Sequence, residues 1–202
     1  MISRMKATYL LSLTLLLIAS HSTSLNAQNY SLNVTESHFT VGGQNYQGYS
    51  TRFTLPYKQV KKVWWRYIKA KTYIYNHKTH YTLTLPAKGD ANTPVTFVSK
   101  LEKGDYRGPL LMVAPADESL NPQQSTALKK DLKFLLIDFK IEYYTTILQN
   151  QIDKQERANR KTSKDLHRLR RRNSPHADKL AAQLEAGQRQ LDALKTSLKQ
   201  IK

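Results

Sequence analysis

The most regular pattern of apolar positions lies near the end of the chain, where one apolar residue recurs every third or fourth position. The members of this leucine seam are Leu180, Leu184, Leu191, Leu194, Leu198 and Ile201, with Gly187 in step. Such spacing is typical of the coiled-coil repeat and lays one narrow apolar stripe along a helix. Because the helix cannot bury this stripe alone, we expect it to pack against a second helix.

The sequence before the seam predicts that second helix. Asn121–Pro122 supplies a cap and a first helical position, and apolar residues then recur from Leu128 to Ile152. Ser174–Pro175 indicates a stop and a restart, with Ser174 as the cap and Pro175 at the first position of the final helix. The simplest arrangement is an antiparallel hairpin with its tip at 172–175, although the same seam could instead join two copies of the chain. The residues that would face the seam within one chain are Ile152, Leu166 and Leu169.

Earlier in the chain, apolar residues alternate with polar ones, as in strands that bury one face. Between the second and third predicted strands, Val60 to Ile68 instead follow a helical spacing, and Pro56 precedes a short helix at about 57–69. The predicted fold class is α+β, with an antiparallel sheet covered by a short and a long helix in a helix-grip or TATA-binding-protein-like arrangement. The strands are predicted near 31–40, 46–55, 71–76, 80–86, 94–101 and 107–114.

The beginning of the chain has the pattern of a secretory signal peptide. Arg4 and Lys6 precede the apolar stretch Tyr9–Ala19, which is too short to cross a bilayer, and cleavage is expected after Ala27. We therefore expect an exported protein with no transmembrane span after cleavage. The predicted parts are a signal peptide at 1–27, an α+β head at 28–150 and a basic helical hairpin or coiled-coil tail at 151–202.

Composition narrows the expected compartment and partners. The chain has no cysteine, which excludes disulfides and thiolate chemistry and favours a bacterial envelope, periplasmic or secreted. Its 32 Lys and Arg residues outnumber 15 Asp and Glu residues, for a formal net charge of +17. Such a charge favours an anionic envelope surface or polymer, or an acidic protein. Nucleic acid is not expected, because the chain is predicted to be exported and carries no groove-reading motif.

A short motif also carries a resemblance. Phe53-Thr54-Leu55-Pro56, followed by Val60-Lys61-Lys62-Val63-Trp64 and Tyr67, resembles a group of uncharacterised exported bacterial proteins. These have a strand ending in a TLP step, a V-x-K-x-W-x-x-Y helix, a strand meander and a long charged helical tail. The resemblance implies the compartment and the layout over most of residues 45–202, and no activity. The tail here is basic where that group leads us to expect balanced charge.

The strongest chemical signal is a basic segment in the long helix. Five of its residues recur at helical spacing and share one face, called here the basic stripe: Arg157, Lys161, Lys164, Arg168 and Arg171, with Arg160 beside them. Such a stripe can bind a polyanion by releasing counterions. The alternative is a solvated helix face that binds nothing.

Trp65 is the second candidate for a contact. It lies about 100° around the helix from Trp64, which is on the apolar face, and its neighbours are Lys61, Lys62 and Arg66. An exposed tryptophan among basic residues can stack on a sugar ring, enter a membrane interface or anchor a protein contact. The alternative is that Trp65 covers a strand edge or the long helix.

Other candidate sites are weaker. Tyr73, Tyr75 and Tyr81 could line a pocket if the sheet is concave, and His77 and His80 lack a third ligand for a metal. Neither a catalytic motif nor a cofactor motif is present, so we predict no catalytic residue, metal or cofactor.

The sequence as a whole predicts a non-enzymatic envelope protein with a binding head and a basic tail. The tail would dock on an anionic surface or mediate oligomerisation through the C-terminal helix. An envelope enzyme with a pocket between sheet and long helix, or an oligomeric scaffold, remain alternatives.

Overall fold

The computed structural model describes residues 30–86, 94–116 and 120–201, so the predicted signal peptide lies outside the described residues. The predicted α+β class, with an antiparallel sheet, a long helix and a C-terminal helix, is confirmed. In chain order the described elements are β1 (Thr35–Val41), β2 (Gln44–Arg52), α1 (Tyr57–Lys69), β3 (Tyr73–Asn76), β4 (Tyr81–Leu85), β5 (Val95–Glu102), β6 (Leu110–Pro115), α2 (Pro122–Arg171) and α3 (Ala177–Ile201).

The six strands form one sheet in the order β1-β2-β6-β5-β4-β3, and every neighbouring pair is antiparallel. Strands β3 to β6 form a meander, and its last strand, β6, pairs with β2. Strand β3 begins two residues later than predicted, because the backbone N–H groups of Lys71 and Thr72 both donate to Ile68 O and close the end of α1. Asp105 holds the turn before β6, where its carboxylate accepts hydrogen bonds from Arg107. These hydrogen bonds lower the pKa of Asp105 to about 2.

Helices α1 and α2 cover one face of the sheet, where the main core is aromatic. Phe139 of α2 lies at its centre, with its ring centroid 4.8 Å from Trp64 and 5.5 Å from Phe53. Aliphatic side chains of the sheet, among them Leu83 and Leu111, are fully buried as well. Edge-to-face and tilted ring pairs of this kind add stability beyond the area they bury.

The opposite face of the sheet carries a second, separate apolar cluster. Its members alternate along β1, β5 and β6 with residues that face the helices, so strands β5 and β6 are buried on both sides. The buried members are Phe39, Val41, Val98, Met112 and Ala114.

Helices α2 and α3 lie antiparallel along the leucine seam. Lys195 Nζ of α3 lies 3.0 Å from Glu156 Oε1 of α2. Helix α3 begins at Ala177 and not at Pro175 as predicted, because Ser174 O accepts from the Ala177 N–H and the intervening residues form a turn. Within the single chain Leu191, Leu194 and Ile201 are buried, while Leu180, Leu184 and Leu198 are half-buried.

Gly187 is a point of close approach between these two helices. A Cβ at this position would overlap Asn159 Oδ1 and lie 2.9 Å from Gln155 Nε2. Gln155 Nε2 also donates to Asn159 Oδ1 at 2.9 Å. The side chains opposite Gly187 are therefore a pair of amides, which places a polar layer within an otherwise apolar seam.

Lys140 is a buried cation in the core between α2 and the sheet. Its side chain is only 2% exposed, and Nζ donates to the Asn33 carbonyl oxygen at 3.2 Å. The rings of Phe53 and Tyr144 lie 5.7 and 6.0 Å from Nζ, and no described carboxylate pairs with it. Burial therefore lowers its pKa to about 8.

This pKa predicts a rise in stability at alkaline pH. Between about 8 and the ordinary lysine value of 10.5, the unfolded chain keeps a proton that the folded chain has lost, so the free energy of unfolding increases with pH. Lys140 contributes at most ~1.4 kcal/mol per pH unit. Above pH 10 the buried phenols of Tyr67 and Tyr143 act in the opposite direction, because their pKa values are raised.

Urea unfolding at pH 7 to 9.5 measures the effect. We expect Lys140→Met to be more stable than the native chain at pH 7 and to lack its rise with pH. The exposed Lys130→Met on the same helix is the control and should keep the rise. Equal pH slopes for the native chain and Lys140→Met would contradict the assignment.

Candidate functional site

Helix α1 is fixed on the sheet through its apolar face. Val60 and Trp64 are fully buried, and Trp64 Nε1 donates to the Ser99 Oγ of β5 at 3.0 Å. A tryptophan held by packing and by a hydrogen bond prevents the helix from rotating about its axis. Residues about 100° further around the helix therefore keep a fixed position beside the sheet edge.

A cationic cleft lies along that neighbouring side of α1. Three lysines and Trp65 are spaced as i, i+3, i+4 and i+7, so they share one helix face. The ends of β3 and β4 form the other wall. The cleft is open to solvent and has a volume of about 370 Å³. We call it the α1 cleft, and its lining residues are Lys58, Lys61, Lys62, Trp65, Asn76 and Tyr81.

Trp65 provides an aromatic surface in the α1 cleft. Its side chain is 37% exposed, and its ring centroid lies 5.4 Å from that of the buried Tyr81, with 50° between the planes. Tyr81 thus supports the indole, and part of the ring still faces solvent. Trp65 therefore contacts a strand residue and also has an exposed ring, and its role in binding stays a prediction.

The charge of the α1 cleft is uncompensated within the described chain. No described carboxylate lies within salt-bridge distance of Lys58, Lys61 or Lys62. The sequence gives the reason, since it has no Asp or Glu between Glu36 and Asp90. Strand β2 and helix α1 therefore carry only positive charge, and strands β3 and β4 carry no formal charge. Clustered charges of one sign at a concave surface raise the local concentration of counter-ions.

The structure brings together some of the predicted contact residues and adds others. Lys61, Lys62 and Trp65 meet in the α1 cleft, whereas the exposed Arg66 lies on α1 outside its lining. Lys58 was not among the predicted contact residues, although its position seven residues before Trp65 and the acid-free segment were available signals. Tyr81 was predicted to line a pocket, but together with Tyr73 and Tyr75 and not with α1. Asn76 was not predicted, because its pairing with Tyr81 depends on the register of β3 and β4.

The expectation that three tyrosines share a pocket is wrong. Tyr81 pairs with Asn76, while Tyr73 and Tyr75 pair with Thr84 and Thr82. Since side chains alternate along a strand, Tyr73 and Tyr75 lie on the face away from Tyr81. They are 74% and 67% exposed and line no described cavity with it.

The two histidines of the β3–β4 turn stack on each other. Their ring centroids are 4.2 Å apart with 6° between the planes, and His77 Nε2 hydrogen-bonds Thr82 Oγ1 at 2.9 Å. Burial, with the nearby His77 and Lys100, lowers the pKa of His80. Across residues 30–86, 94–116 and 120–201, no group of three or more His, Asp or Glu side chains could hold a metal ion.

The basic stripe lies exposed on α2, on the part that pairs with α3. Arg168 is paired with Asp165 at 3.1 Å, and Arg160 beside the stripe lies 3.9 Å from Glu156. Glu156 also contacts Lys195, which weakens its effect on Arg160. Four stripe residues have no described carboxylate within salt-bridge distance: Arg157, Lys161, Lys164 and Arg171.

Comparison with known proteins gives no match to a protein-family model, to a curated protein or to a solved structure. Among the helices that the structure describes, none has both the length and the apolar character needed to span a bilayer. The α1 cleft and the basic stripe are therefore the two surfaces that indicate a function.

The local positive potential of the α1 cleft can be measured through Trp65. Trp64 is buried, so collisional quenching of the native chain should act on Trp65. We expect iodide to quench it more efficiently than caesium does, because the three lysines attract the anion. In Trp65→Phe the remaining emission comes from the buried Trp64, so it should be blue-shifted and quenched by neither ion.

Changing Lys58, Lys61 and Lys62 together to Gln should remove the preference for iodide. Free N-acetyltryptophanamide, which carries no charge, serves as the reference for intrinsic quencher efficiency. Equal quenching of the native chain by both ions, relative to that reference, would contradict a positive cleft.

Proposed function

We propose that this chain is an exported, non-enzymatic binding protein of the cell envelope, and that its head binds an anionic ligand in the α1 cleft. One observation carries the proposal: Lys58, Lys61 and Lys62 line the same cleft as an exposed indole, with no described carboxylate within salt-bridge distance. Three ammonium groups supply up to nine N–H donors and a concentrated positive charge. An anionic group is the ligand that satisfies both.

The basic stripe supports a second contact with an anionic surface or polymer. From Arg157 to Arg171 it extends for roughly 21 Å along the helix, at ~1.5 Å per residue. A linear row of this length suits an extended polyanion or a membrane surface better than a small ligand. We therefore assign selective binding to the α1 cleft and broader electrostatic docking to the basic stripe.

The finer architecture belongs to the same proposal. The order β2-α1-β3-β4-β5-β6-α2 is compatible with a helix-grip or TATA-binding-protein-like arrangement. We propose in addition that α2 and α3 form a coiled coil, a pairing supported by the seam spacing and by the polar layer at Gly187. Burial of Leu191 and Leu194 within one chain supports a seam that holds this hairpin together. Joining of two chains through the seam is the less supported alternative.

Binding to a short polyphosphate, measured by calorimetry at low salt, tests the proposal. Replacing Lys58, Lys61 and Lys62 by Gln should weaken binding by roughly ten-fold or more and make it less dependent on salt, because fewer counterions are released. The charge-matched control is Lys103, Lys130 and Lys154 to Gln, three exposed lysines outside the α1 cleft.

A third variant, Arg157, Lys161 and Lys164 to Gln, measures the share of the basic stripe. If the control weakens binding as much as the cleft variant does, net charge alone drives binding and the proposal fails. If only the stripe variant has an effect, the ligand site lies on α2 and not in the head.

A further inference from the structure

We infer that the ligand of the α1 cleft is an acidic saccharide, with a sugar ring on Trp65 and its carboxylate or phosphate group among the lysines. This inference rests on the proposed function. It names the class of ligand, because positive charge alone does not explain why a partly exposed indole is held in place by Tyr81.

The position of Trp65 suits a sugar ring. One face of a pyranose carries C–H groups and is flat and apolar, so it can lie on an aromatic ring while its hydroxyls remain hydrated. The contact of Trp65 with Tyr81 fixes the indole before binding, which lowers the entropy cost of ordering it. A lysine cluster without this ring would bind any phosphate, whereas the ring adds a preference for a ligand with an apolar face.

Asn76 supplies the polar contact that a sugar hydroxyl needs. Its Oδ1 accepts from the Lys78 backbone N–H at 2.8 Å, which holds the amide in place and leaves its NH₂ group as a donor. Asn76 lies in the same cleft as Trp65. The site thus combines an indole ring, an amide donor and cations. The indole suits the apolar face of a sugar ring, the amide suits its hydroxyls and the cations suit its acidic group.

The shape of the α1 cleft favours a unit within a chain. The cleft is open to solvent, so a bound ring can continue into neighbouring residues of a polymer. A membrane is less suitable as a ligand, because Trp65 shares the cleft with three lysines and Asn76 and is not part of an apolar face. A single-stranded nucleic acid could also stack a base on Trp65, and the predicted export of the chain argues against it.

Titration of the purified protein with four probes tests the inference: a short oligogalacturonate, a polyphosphate of matched charge, an oligothymidylate and a neutral maltooligosaccharide. We expect oligogalacturonate to bind more tightly than the other three and to change the emission of Trp65. Trp65→Ala should weaken its binding about ten-fold, while leaving polyphosphate binding within about two-fold.

Two variants guard against a folding artefact. Trp65→Phe keeps an aromatic ring against Tyr81 and should give an intermediate affinity for oligogalacturonate. Tyr75→Ala removes an exposed ring on the opposite face of the sheet and should leave all affinities unchanged. Thermal unfolding of each variant confirms that the head is folded.

The other outcomes separate the two levels of the proposal. One outcome is that oligogalacturonate and polyphosphate bind with equal affinity, that Trp65→Ala changes neither affinity and that the cleft lysine variant weakens both. In that case the saccharide inference fails and the proposed function stands. Tighter, Trp65-dependent binding of oligothymidylate would overturn the saccharide in favour of a nucleotide. If the lysine variant changes binding of no anion, both the inference and the proposed function fail.

Discussion

The burial of Trp64 is the contact on which the candidate site depends. Its indole lies between the sheet and Phe139 of α2, and its Nε1 donates to Ser99 Oγ. Because this side chain fixes the rotation of α1, the adjacent Trp65 must lie at the sheet edge, against Tyr81. A rotation of α1 by one residue would bury lysines and expose Trp64, at the cost of several kcal/mol for desolvated charge. The core thus determines the direction in which the cationic face of α1 points.

The distribution of charge then separates two surfaces. The segment between Glu36 and Asp90 has no acidic residue, so the lysines of α1 cannot be neutralised by their own part of the chain. On α2 and α3, by contrast, Glu156 and Asp165 pair with some of the cations. The α1 cleft is concave and has an aromatic component, whereas the basic stripe is a linear exposed row. These differences support different roles, selective binding in the head and general docking along α2.

Much of the fold could be predicted from periodicity. The leucine seam, the helix at 57–69 and the alternating strands each have a period that one kind of element satisfies, and the structure contains these elements. Element ends were less predictable, since they depend on local hydrogen bonds such as those from Lys71 and Thr72 to Ile68 O. The polar layer at Gly187 was also missed, because the seam identifies one helix face but not the residues opposite it.

The candidate site could be predicted only in part. Trp65 and its neighbouring lysines follow from helical geometry, because Trp64 takes the apolar face. The second wall, with Asn76 and Tyr81, depends on which residues pair across β3 and β4. The same register places Tyr73 and Tyr75 on the other face. Pairing register is set by the whole sheet, and a single local pattern does not reveal it.

Lysine footprinting would show most directly whether an anionic ligand binds in the α1 cleft. The protein is acetylated with and without a bound acidic oligosaccharide, and the modification of each lysine is measured by mass spectrometry. We expect protection of Lys58, Lys61 and Lys62 on binding, while Lys103 and Lys130 react as in the free protein. Protection confined to Lys161 and Lys164 would place the ligand on the basic stripe and contradict a binding site in the head.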